Sequence, residues 1–548
     1  MRTKLAKRTI PFALILLVLS VKTLCALEDP WVDVRNYQSI NAAVTAIGST
    51  QTTLLVPNTQ TLTNSLTIPA NIHLVILKGG SIAKASNYTL TIRGPFKPGR
   101  YRVFSGFSSE DVTFEQGLVE RVIPEWWGEN TTPGTTDMSG EIGCAINSLP
   151  NGGVVQFSEG IYLVTSSITL PQNIPLRLRG VGSTYNAGKG TILKADLASG
   201  FLFSLTNNIF DISLEDFAIN GNSTADGAIS YSGNYGFGWF IKNVHVYYFA
   251  KNGIHAVDIQ DPSHIHATNL TIAGITNGTC LRIRANTLNT GVMTFTNCEF
   301  GVGYESKYGL EIAEPGNATD SINFVGCLFS NSTNNANITG RGLNFIGNHF
   351  EMDTASGVHV NINGGQNQTW IGNTFGGNGK SIKGIYLNGA AYTDNIMMDN
   401  NQFIDLNASG NCVEIANDSD IVTGTILVGY IHRGVTTPAR LSDPGYKTRN
   451  LYSNLRTWEY ADSLADDGVL GIPYPQSGGW GFAQAGNNEA YALFSFSNSG
   501  AVTLISNSGN TVTTDTDNKF CIVNAGGYLN IKNRLGSPMT VKVKIHYN

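Results

Sequence analysis

The sequence is poor in charged residues. Asp, Glu, Lys and Arg make up 14% of its 548 residues, against about a quarter in an average globular protein. The formal net charge is −5, and no basic run follows the first eight residues. We therefore expect no nucleic-acid binding. The shortage of charge does not indicate disorder, because 41% of the residues are hydrophobic and 10% are aromatic.

Cysteine is also scarce. The chain has seven cysteines, and no two of them form a CxxC pair, so a zinc site is not expected. Six remain after residue 26 (Cys144, Cys280, Cys298, Cys327, Cys412 and Cys521). They are too sparse for a disulfide-stapled scaffold, and most are expected to be buried thiols.

A long hydrophobic run occurs only at the N-terminus, from Ile10 to Val21. It is shorter than the roughly 20 residues that span a bilayer, and it follows the basic residues Arg2, Lys4, Lys7 and Arg8. This pattern predicts a signal peptide over residues 1–26, with a secreted, extracellular or cell-surface location and no membrane span. Removal of that segment takes the formal net charge from −5 to −10.

Glycine, in contrast, is abundant, with 61 residues, and a short phrase recurs along the chain. It consists of an Asn-like turn followed by a short strand, as in GNTF at 372–375. Its copies start at residues 243, 269, 297, 326, 347, 372 and 400, which are 21 to 29 residues apart. A second series of strands opens with Gly or Cys, at residues 253, 280, 309, 357, 384 and 412.

The repeat predicts an all-β fold. One unit of two or three short strands cannot bury its apolar face alone, whereas stacked units can. We therefore expect a single-stranded right-handed parallel β-helix with one rung per repeat. The alternatives are an antiparallel β-sandwich and a β-propeller, whose repeat is longer, at about 40–50 residues.

The Asn-like turns have a structural explanation in this fold. A sharp bend between two strands needs a residue that tolerates the left-handed region, and Asn and Gly do so. Asn348, Asn373 and Asn401 would then stack as a hydrogen-bonded ladder. Cys298 and Cys327 occupy the same place one rung apart, where they could form a disulfide or stay a pair of buried thiols.

The repeat region is flanked by other units. Residues 27–121 are expected to form an N-terminal β-rich capping unit, 122–431 the β-helix, 432–458 a linker and 459–548 a C-terminal antiparallel β-sandwich. Short helical patterns at 39–48 and 140–149 precede two similar segments, 65–81 and 167–183, which share eight of 17 positions. This duplication predicts two copies of a helical cap with its first rung.

The segment 122–164 resembles the opening segment of the pectate-lyase-like superfamily of right-handed parallel β-helices, which includes rhamnogalacturonase/epimerase-type and phage tailspike-like members. It retains Trp127-Gly128, Gly152-Gly153-Val154-Val155 and Gly160-Ile161-Tyr162. It departs in the acidic run, of which Asp137 and Glu141 remain. The resemblance covers about residues 30–430. It implies the fold but not one activity, because the superfamily holds lyases, hydrolases, epimerases, tailspikes and proteins without known catalysis.

In the families that the segment resembles, substrate lies along the sheet of the Gly- or Cys-opened strands. Alternation along these strands predicts an outward column made of the third residue of each strand. The members of that column are His255, Arg282, Glu311, His359, Tyr386 and Glu414; Arg284 and Asn361 lie further along their strands, and Asp353 precedes the His359 strand. The candidate catalytic residues are Glu311, Arg282, His359 and Asp353, and the candidate substrate-binding residues are His255, Arg284, Asn361, Tyr386 and Glu414.

The chemistry of this column stays open. Glu311 and Glu414 are expected four rungs apart, near 19 Å, which is too far for the carboxyl pair of a glycosidase. Arg282, Arg284 and His359 would suit a lyase acting on a uronate. No cofactor is expected, and no Asp cluster that would hold calcium is visible. An outward polar column is equally typical of a solvated β-helix surface.

Two functions remain. The first is a secreted protein that binds, and in its catalytic form cleaves as a lyase or glycoside hydrolase, an acidic or cell-surface polysaccharide. The second is a non-enzymatic surface or tailspike-like structural or adhesion protein, for which a homotrimer is expected because β-helices can associate along their flanks.

Overall fold

The computed structural model describes residues 31–433 and 457–547, with internal gaps. The gaps are 116, 185–188, 207–208, 234–235, 250–253, 262–263, 274, 286–291, 303–305, 314–320, 353–355, 388–392, 407–412, 416–425, 474–477, 487–488, 498, 500 and 526–527. The predicted signal peptide lies outside the described residues, as does most of the predicted linker. The chain is all-β, with a parallel β-helix of about 12 turns and C-terminal antiparallel sheets, which confirms the predicted fold class.

The chain divides into two compact units. The first ends at Lys194 and also includes Asp211–Phe217; the second comprises Ala195–Phe210 and Ala218 onwards. The first unit contains helices α1 (Ile40–Ile47) and α2 (Ser139–Asn147) and the 3₁₀ turns Val34–Asn36 and Pro124–Trp126. Helix α1 begins at Ser39, whose hydroxyl accepts a hydrogen bond from the Ala42 amide, as expected of a helix N-cap.

Short strands build the start of the first unit. They are β1 (Trp31–Asp33), β2 (Thr52–Val56), β3 (Thr59–Leu62), β4 (Leu66–Ile68), β5 (Ile72–Ile76), β6 (Ser81–Lys84), β7 (Leu90–Ile92), β8 (Phe96–Lys97), β9 (Phe104–Ser105) and β10 (Val112–Phe114). They form three parallel sheets, β1-β2-β5-β8, β3-β6-β9 and β4-β7-β10. The residues expected to form a capping unit therefore make a short three-sided β-helix of their own.

From Gly153 to Arg433 the strands also pair in parallel. They are β11 (Gly153–Gln156), β12 (Gly160–Val164), β13 (Ile168–Thr169), β14 (Leu176–Arg179), β15 (Thr191–Ala195), β16 (Phe201–Thr206), β17 (Ile209–Asn220), β18 (Gly227–Ser232), β19 (Gly236–Tyr247), β20 (His255–Gln260), β21 (Ile265–Ala273), β22 (Thr279–Arg284), β23 (Met293–Thr296), β24 (Glu299–Val302), β25 (Ser306–Ala313), β26 (Ile322–Val325), β27 (Leu328–Phe329), β28 (Ser332–Thr339), β29 (Leu343–Ile346), β30 (His349–Glu351), β31 (Ser356–Ile371), β32 (Thr374–Leu387), β33 (Thr393–Leu406), β34 (Val413–Ile415) and β35 (Ile426–Arg433).

In the second unit these strands form three faces. Face A comprises β16, β18, β20, β22, β25, β28, residues 356–362 of β31, residues 381–387 of β32, and β34. Face B comprises residues 239–242 of β19, 265–268 of β21, β23, β26, β29, 369–371 of β31 and 396–399 of β33. Face C comprises 244–246 of β19, 271–272 of β21, β24, β27, β30, 374–376 of β32 and 402–404 of β33.

Aromatic side chains stack inside the second unit at the spacing of its rungs. Behind face B the ring centroids of Phe295, Phe324, Phe345 and Trp370 follow each other at 4.8, 4.9 and 3.9 Å. Behind face C the rings of Phe300, Phe329, Phe350, Phe375 and Phe403 follow at 5.1, 4.7, 4.7 and 4.8 Å. Each fully buried side chain contributes roughly 1.5–3 kcal/mol through the hydrophobic effect, so these two columns supply much of the core.

The corner between faces B and C confirms the predicted asparagine ladder. Asn373 donates from Nδ2 to Oδ1 of Asn401, and Asn348 donates in the same way to Asn373, both at 2.9 Å. The residue before each ladder position has a positive φ, near 62° at Gly347, 65° at Gly372 and 51° at Asn400. Cys298 and Cys327 continue this corner as free, buried thiols.

The C-terminal residues form two sheets. Their strands are β36 (Thr457–Leu464), β37 (Val469–Pro473), β38 (Gly479–Ala485), β39 (Ala490–Phe496), β40 (Val502–Asn507), β41 (Thr511–Val512), β42 (Lys519–Ala525), β43 (Tyr528–Arg534) and β44 (Met539–Tyr547). The sheet orders are β36-β44-β38-β39-β40 and β37-β43-β42-β41, antiparallel except for the β41–β42 pair. Buried residues of both sheets share one core, as in a β-sandwich.

Candidate functional site

Face A carries one outward column whose members are register partners on successive strands. The column runs Ser204, Ser230, Asp258, Arg282, Glu311, Asn337, Asn361 and Tyr386. The residues on either side of it in each strand are mostly apolar and point into the core, so alternation fixes which side chains face outward. Four predicted site residues lie in this column, and the structure describes their side chains: Arg282, Glu311, Asn361 and Tyr386.

Asp258, Arg282 and Glu311, which follow the two serines, form the charged half of the column, and each pairs with an oppositely charged side chain. Arg284 holds Asp258 with two hydrogen bonds, Nε to Oδ1 at 3.0 Å and Nη2 to Oδ2 at 2.8 Å. Arg282 lies between Asp258 and Glu311 in the register, with its Nε 3.4 Å from Oε2 of Glu311. The half-buried positions of these side chains make such pairs stronger than ordinary surface ion pairs.

His255 contacts this charged half from outside the column. Its register partner is Thr279, three residues before Arg282, so the predicted column position is wrong. Its Nε2 nevertheless accepts a hydrogen bond from Nη1 of Arg282 at 2.9 Å. Burial and the Arg282 charge lower the pKa of His255 below its usual range, which favours the neutral imidazole needed for this contact.

The second half of the column is uncharged. Asn337 accepts at Oδ1 from the side-chain amides of Asn361 and Asn363, at 3.0 and 2.9 Å. On the next strand the Nζ of Lys383 lies 4.2 Å from the ring centroid of Tyr386. These side chains offer amide donors and acceptors beside an aromatic ring, a combination that suits a neutral polyhydroxy ligand.

His359 is not on the surface, and its predicted place in the outward column is wrong. Its side chain is fully buried, with ring contacts to Phe350 and Phe375, and its Nδ1 accepts a hydrogen bond from the Asn335 amide at 3.0 Å. Burial lowers the pKa of His359 to about 3. The cause is the position of His359 in its strand. In face A strands the first inward apolar residue is preceded by a residue that is also buried, and His359 occupies that place, as do Cys280 and Asn335.

The remaining predicted residues divide as follows. Arg284 lies two residues beyond Arg282, next to Gln260 in the register. The backbone of Glu414 is the register partner of Tyr386 on the following strand, and the Glu414 side chain lies outside the described residues. Asp353 lies outside the described residues.

Four members of the column, Ser204, Ser230, Asp258 and Asn337, are not among the predicted site residues. Asp258 could have been found by aligning the apolar positions of VDIQ (257–260) with LRIR (281–284), instead of aligning the opening glycine of GIHAV. Asn337 lies on β28, whose sequence STNNANIT has too few apolar residues to stand out as a strand. The Asn335–His359 hydrogen bond fixes two polar residues inside that stretch of the core.

Among the described residues, no three His, Cys, Asp or Glu side chains come together in a way that could hold a metal ion. In the same part of the chain, none of the helices has the length and hydropathy that a membrane crossing requires.

Comparison with known proteins gives structural similarities only. No family model matches the chain, and no curated protein matches it. ORF18 of Geobacillus virus E2 is 16% identical and has a TM-score of 0.49, covering 76% of this chain and 85% of its own. The tailspike gp49 of the Acinetobacter baumannii bacteriophage Fri1, a capsular polysaccharide depolymerase, is 13% identical with a TM-score of 0.33, covering 78% and 86%. PfbA, a surface adhesin of Streptococcus pneumoniae, is 15% identical with a TM-score of 0.40, covering 58% and 93%.

Proposed function

We propose that the chain is a secreted protein that binds an extracellular polysaccharide along face A. The observation that supports this best is the unbroken column from Ser204 to Tyr386, in which every outward side chain is polar or aromatic. A polysaccharide also repeats hydrogen-bonding groups along an extended path. It would therefore meet a similar set of donors and acceptors at each rung, about 4.8 Å apart.

Each half of the column would contribute different contacts. In the uncharged half, Asn337, Asn361 and Asn363 would bind hydroxyl groups, and Tyr386 would pack against the apolar side of a sugar ring. In the charged half, the guanidinium groups of Arg282 and Arg284 would attract the carboxylates of an acidic sugar. Location outside the cell rests on the signal-like residues 1–26.

Face A supports binding better than cleavage. Asp258 and Glu311 are two rungs apart, about 10 Å between Cα atoms, close to the carboxyl spacing of inverting glycosidases. However, each carboxylate is already matched to an arginine, at 2.8 and 3.4 Å. An inverting glycosidase needs one carboxyl group against the glycosidic oxygen and the other against a water molecule, whereas both carboxylates here contact arginines. This pairing favours the non-enzymatic alternative, a surface or tailspike-like adhesion protein.

Face B is a candidate surface for self-association into the expected homotrimer. Its outward columns between β21 and β31 consist of His266, Thr268, Thr294, Thr296, Asn323, Val325, Asn344, Ile346, Thr369 and Ile371. None of these ten described positions holds Asp, Glu, Lys or Arg, and Ile346 is 41% exposed. An uncharged, partly apolar sheet suits contact with a second copy. Light scattering on the mature protein would test the expected trimer, and a strict monomer would contradict it.

The proposed binding can be tested with a panel of glycans. The mature protein would be run through gels containing pectin, alginate or capsular polysaccharide, with a glycan-free gel as the reference. We expect retardation by at least one acidic glycan. The same mixtures would be assayed for new reducing ends and for the absorbance of unsaturated uronates, and we expect neither. An electrophoretic mobility that no glycan changes would contradict binding. Release of new reducing ends would instead support the enzymatic function.

A further inference from the structure

One strand of the C-terminal β-sandwich has small side chains facing the core and large aromatic side chains facing solvent. In β38, the core side carries Gly479, Gly481, Ala483 and Ala485, while Trp480 and Phe482 face outward. Trp480 is 44% exposed and Phe482 is 38% exposed. Burying each of these rings would favour folding by a few kcal/mol, so packing of the sandwich does not explain why the largest side chains face solvent.

A third aromatic residue lies on the same outward face. Tyr491 on β39 is the register partner of Gln484 on β38, which points to the same side as Trp480 and Phe482, and it is 38% exposed. Trp480 and Phe482 are about 7 Å apart along their strand. Tyr491 lies one strand to the side, about 5 Å, and about 7 Å further along than Phe482, since its register partner is Gln484. We refer to Trp480, Phe482 and Tyr491 as the aromatic platform.

Basic residues border the platform on its other side. On β44, Lys542, Lys544 and His546 are the register partners of Gln484, Phe482 and Trp480. The imidazole of His546 stacks on the Trp480 indole at 4.0 Å with an interplanar angle of 19°, which restricts the orientation of the indole. Lys544 has Glu459 on β36 as a register partner. Lys542 has two register partners, Ala461 on β36 and Gln484 on β38, and neither is charged.

We propose that this platform is a second polysaccharide-binding site, specific for an acidic glycan. Aromatic rings on a flat sheet can pack against the apolar sides of several sugar rings, and their orientation is largely fixed before binding. Lys542, beside them, supplies positive charge for sugar carboxylates, in a chain that is acidic as a whole. Exposed apolar patches bordered by polar groups mark interaction sites, and no part of this argument uses face A.

The test compares four forms of the full mature chain for binding to soluble polygalacturonate and alginate. The forms are the wild type, Asn361→Ala/Tyr386→Ala on face A, Trp480→Ala/Tyr491→Ala on the platform, and the two double variants combined. We expect the platform variant to lose about tenfold in affinity or more, because aromatic anchors dominate such sites and linked sites multiply. Lys542→Gln should weaken binding to these glycans while leaving weak binding to neutral dextran unchanged.

The control is Val469→Ala, which removes a residue of the other sheet that is 50% exposed and should bind like the wild type. Equal thermal melting of all variants would show that they fold. Wild-type affinity of the platform variant would overturn this proposal, as would equal binding to dextran. Stronger binding to phosphatidylglycerol-containing vesicles than to either glycan would also overturn it, since it would identify a membrane ligand. Wild-type affinity of the face A variant would instead contradict only the function proposed for face A.

Discussion

At the scale of single residues, His359 illustrates how position decides chemistry. Its imidazole lies between the aromatic rings of Phe350 and Phe375, and the amide of Asn335 donates to its Nδ1. Protonation of this nitrogen would break the hydrogen bond and place an unpaired charge in the core. A histidine of this kind stabilises one rung and takes no part in binding on face A.

The buried histidine makes the fold sensitive to acid. The folded pKa of His359 is about 3, against an ordinary value of 6.5. Between these values the unfolded chain binds a proton that the folded chain does not, so stability falls as the pH drops below 6.5. We expect about 3 kcal/mol to be lost by pH 4 from this residue, measured as the change in urea midpoint between pH 7 and pH 4.

His359→Gln should remove this part of the acid sensitivity, because glutamine does not titrate. The matched control is His266→Gln on face B, which makes the same replacement at an exposed side chain and should keep the acid-dependent loss of stability that comes from His359. Identical pH profiles for His359→Gln and the wild type would contradict the assigned role.

The sequence correctly predicts that Arg282 and Glu311 share one outward column, because both residues lie in strands with clear apolar alternation, LRIR and LEIA. An alignment on the opening glycine places His255 and His359 wrongly, because that glycine does not keep a constant distance from the first inward side chain of its strand. The apolar residues Val257, Leu281 and Leu310, which are true register partners, would have given the right alignment.

At the scale of the structural element, the corner before each ladder position needs a left-handed residue. Gly372 has a φ of 65°, and a Cβ added there would meet no atom within 4 Å. The cost of a side chain is therefore conformational alone. Gly372→Val should lower stability by about 1–2 kcal/mol. Gly372→Asn should change it by less than about 0.5 kcal/mol, since Asn297 and Asn400 adopt this conformation with φ near 51°. Urea denaturation checks both, and equal losses would contradict this account of the corner.

The ladder itself should be costly to interrupt. In Asn373 the side-chain Oδ1 accepts from both the backbone and side-chain nitrogens of Asn348, and Nδ2 donates to the Phe345 carbonyl. Asn373→Ala would leave these buried groups unpaired, at an expected cost of about 2–4 kcal/mol in unfolding free energy. Asn344→Ala, on the solvent side of face B, should cost less than about 1 kcal/mol. A small, equal effect of both changes would contradict a stabilising ladder.

The repeated elements are predictable from the sequence because the same pattern of turn residues and apolar residues occurs in several rungs. The phrase from NCEF to NNQF gives the corner, the ladder and the aromatic stack of face C, from Phe300 to Phe403. The polar strand β28 was not recognised, because its contribution to the core comes from Asn335 and a few small or apolar residues. Tertiary neighbours, including the carbonyls of Phe329 and Glu351 that accept from Asn335, make that strand possible.

At the scale of the whole molecule, the sequence predicts a β-helix followed by a β-sandwich but misses the second, shorter β-helix formed by β2–β10. Its strands are only two to five residues long, too short to show an alternation of apolar and polar residues. The helical caps α1 and α2 were expected from their patterns, and each begins within one residue of the expected position.

Two separate polysaccharide sites, on face A and on the aromatic platform, would allow one long glycan to bind at both. The second contact would then be intramolecular, and the overall affinity would exceed that of either site. Shortening the glycan should therefore weaken binding steeply below a certain length. Titration calorimetry with size-fractionated oligosaccharides measures this, and an affinity that is independent of length would contradict two-site binding.

The central claim is that face A binds a polysaccharide, and the most direct measurement is the affinity of Asn361→Ala/Tyr386→Ala for the glycan that retains the wild type. Its control is Thr374→Ala/Gln402→Ala, which changes an outward column on face C. We predict that the face A variant loses about tenfold or more in affinity, while the face C control binds like the wild type and both melt at the wild-type temperature. Equal affinity of the face A variant and the wild type would contradict the claim.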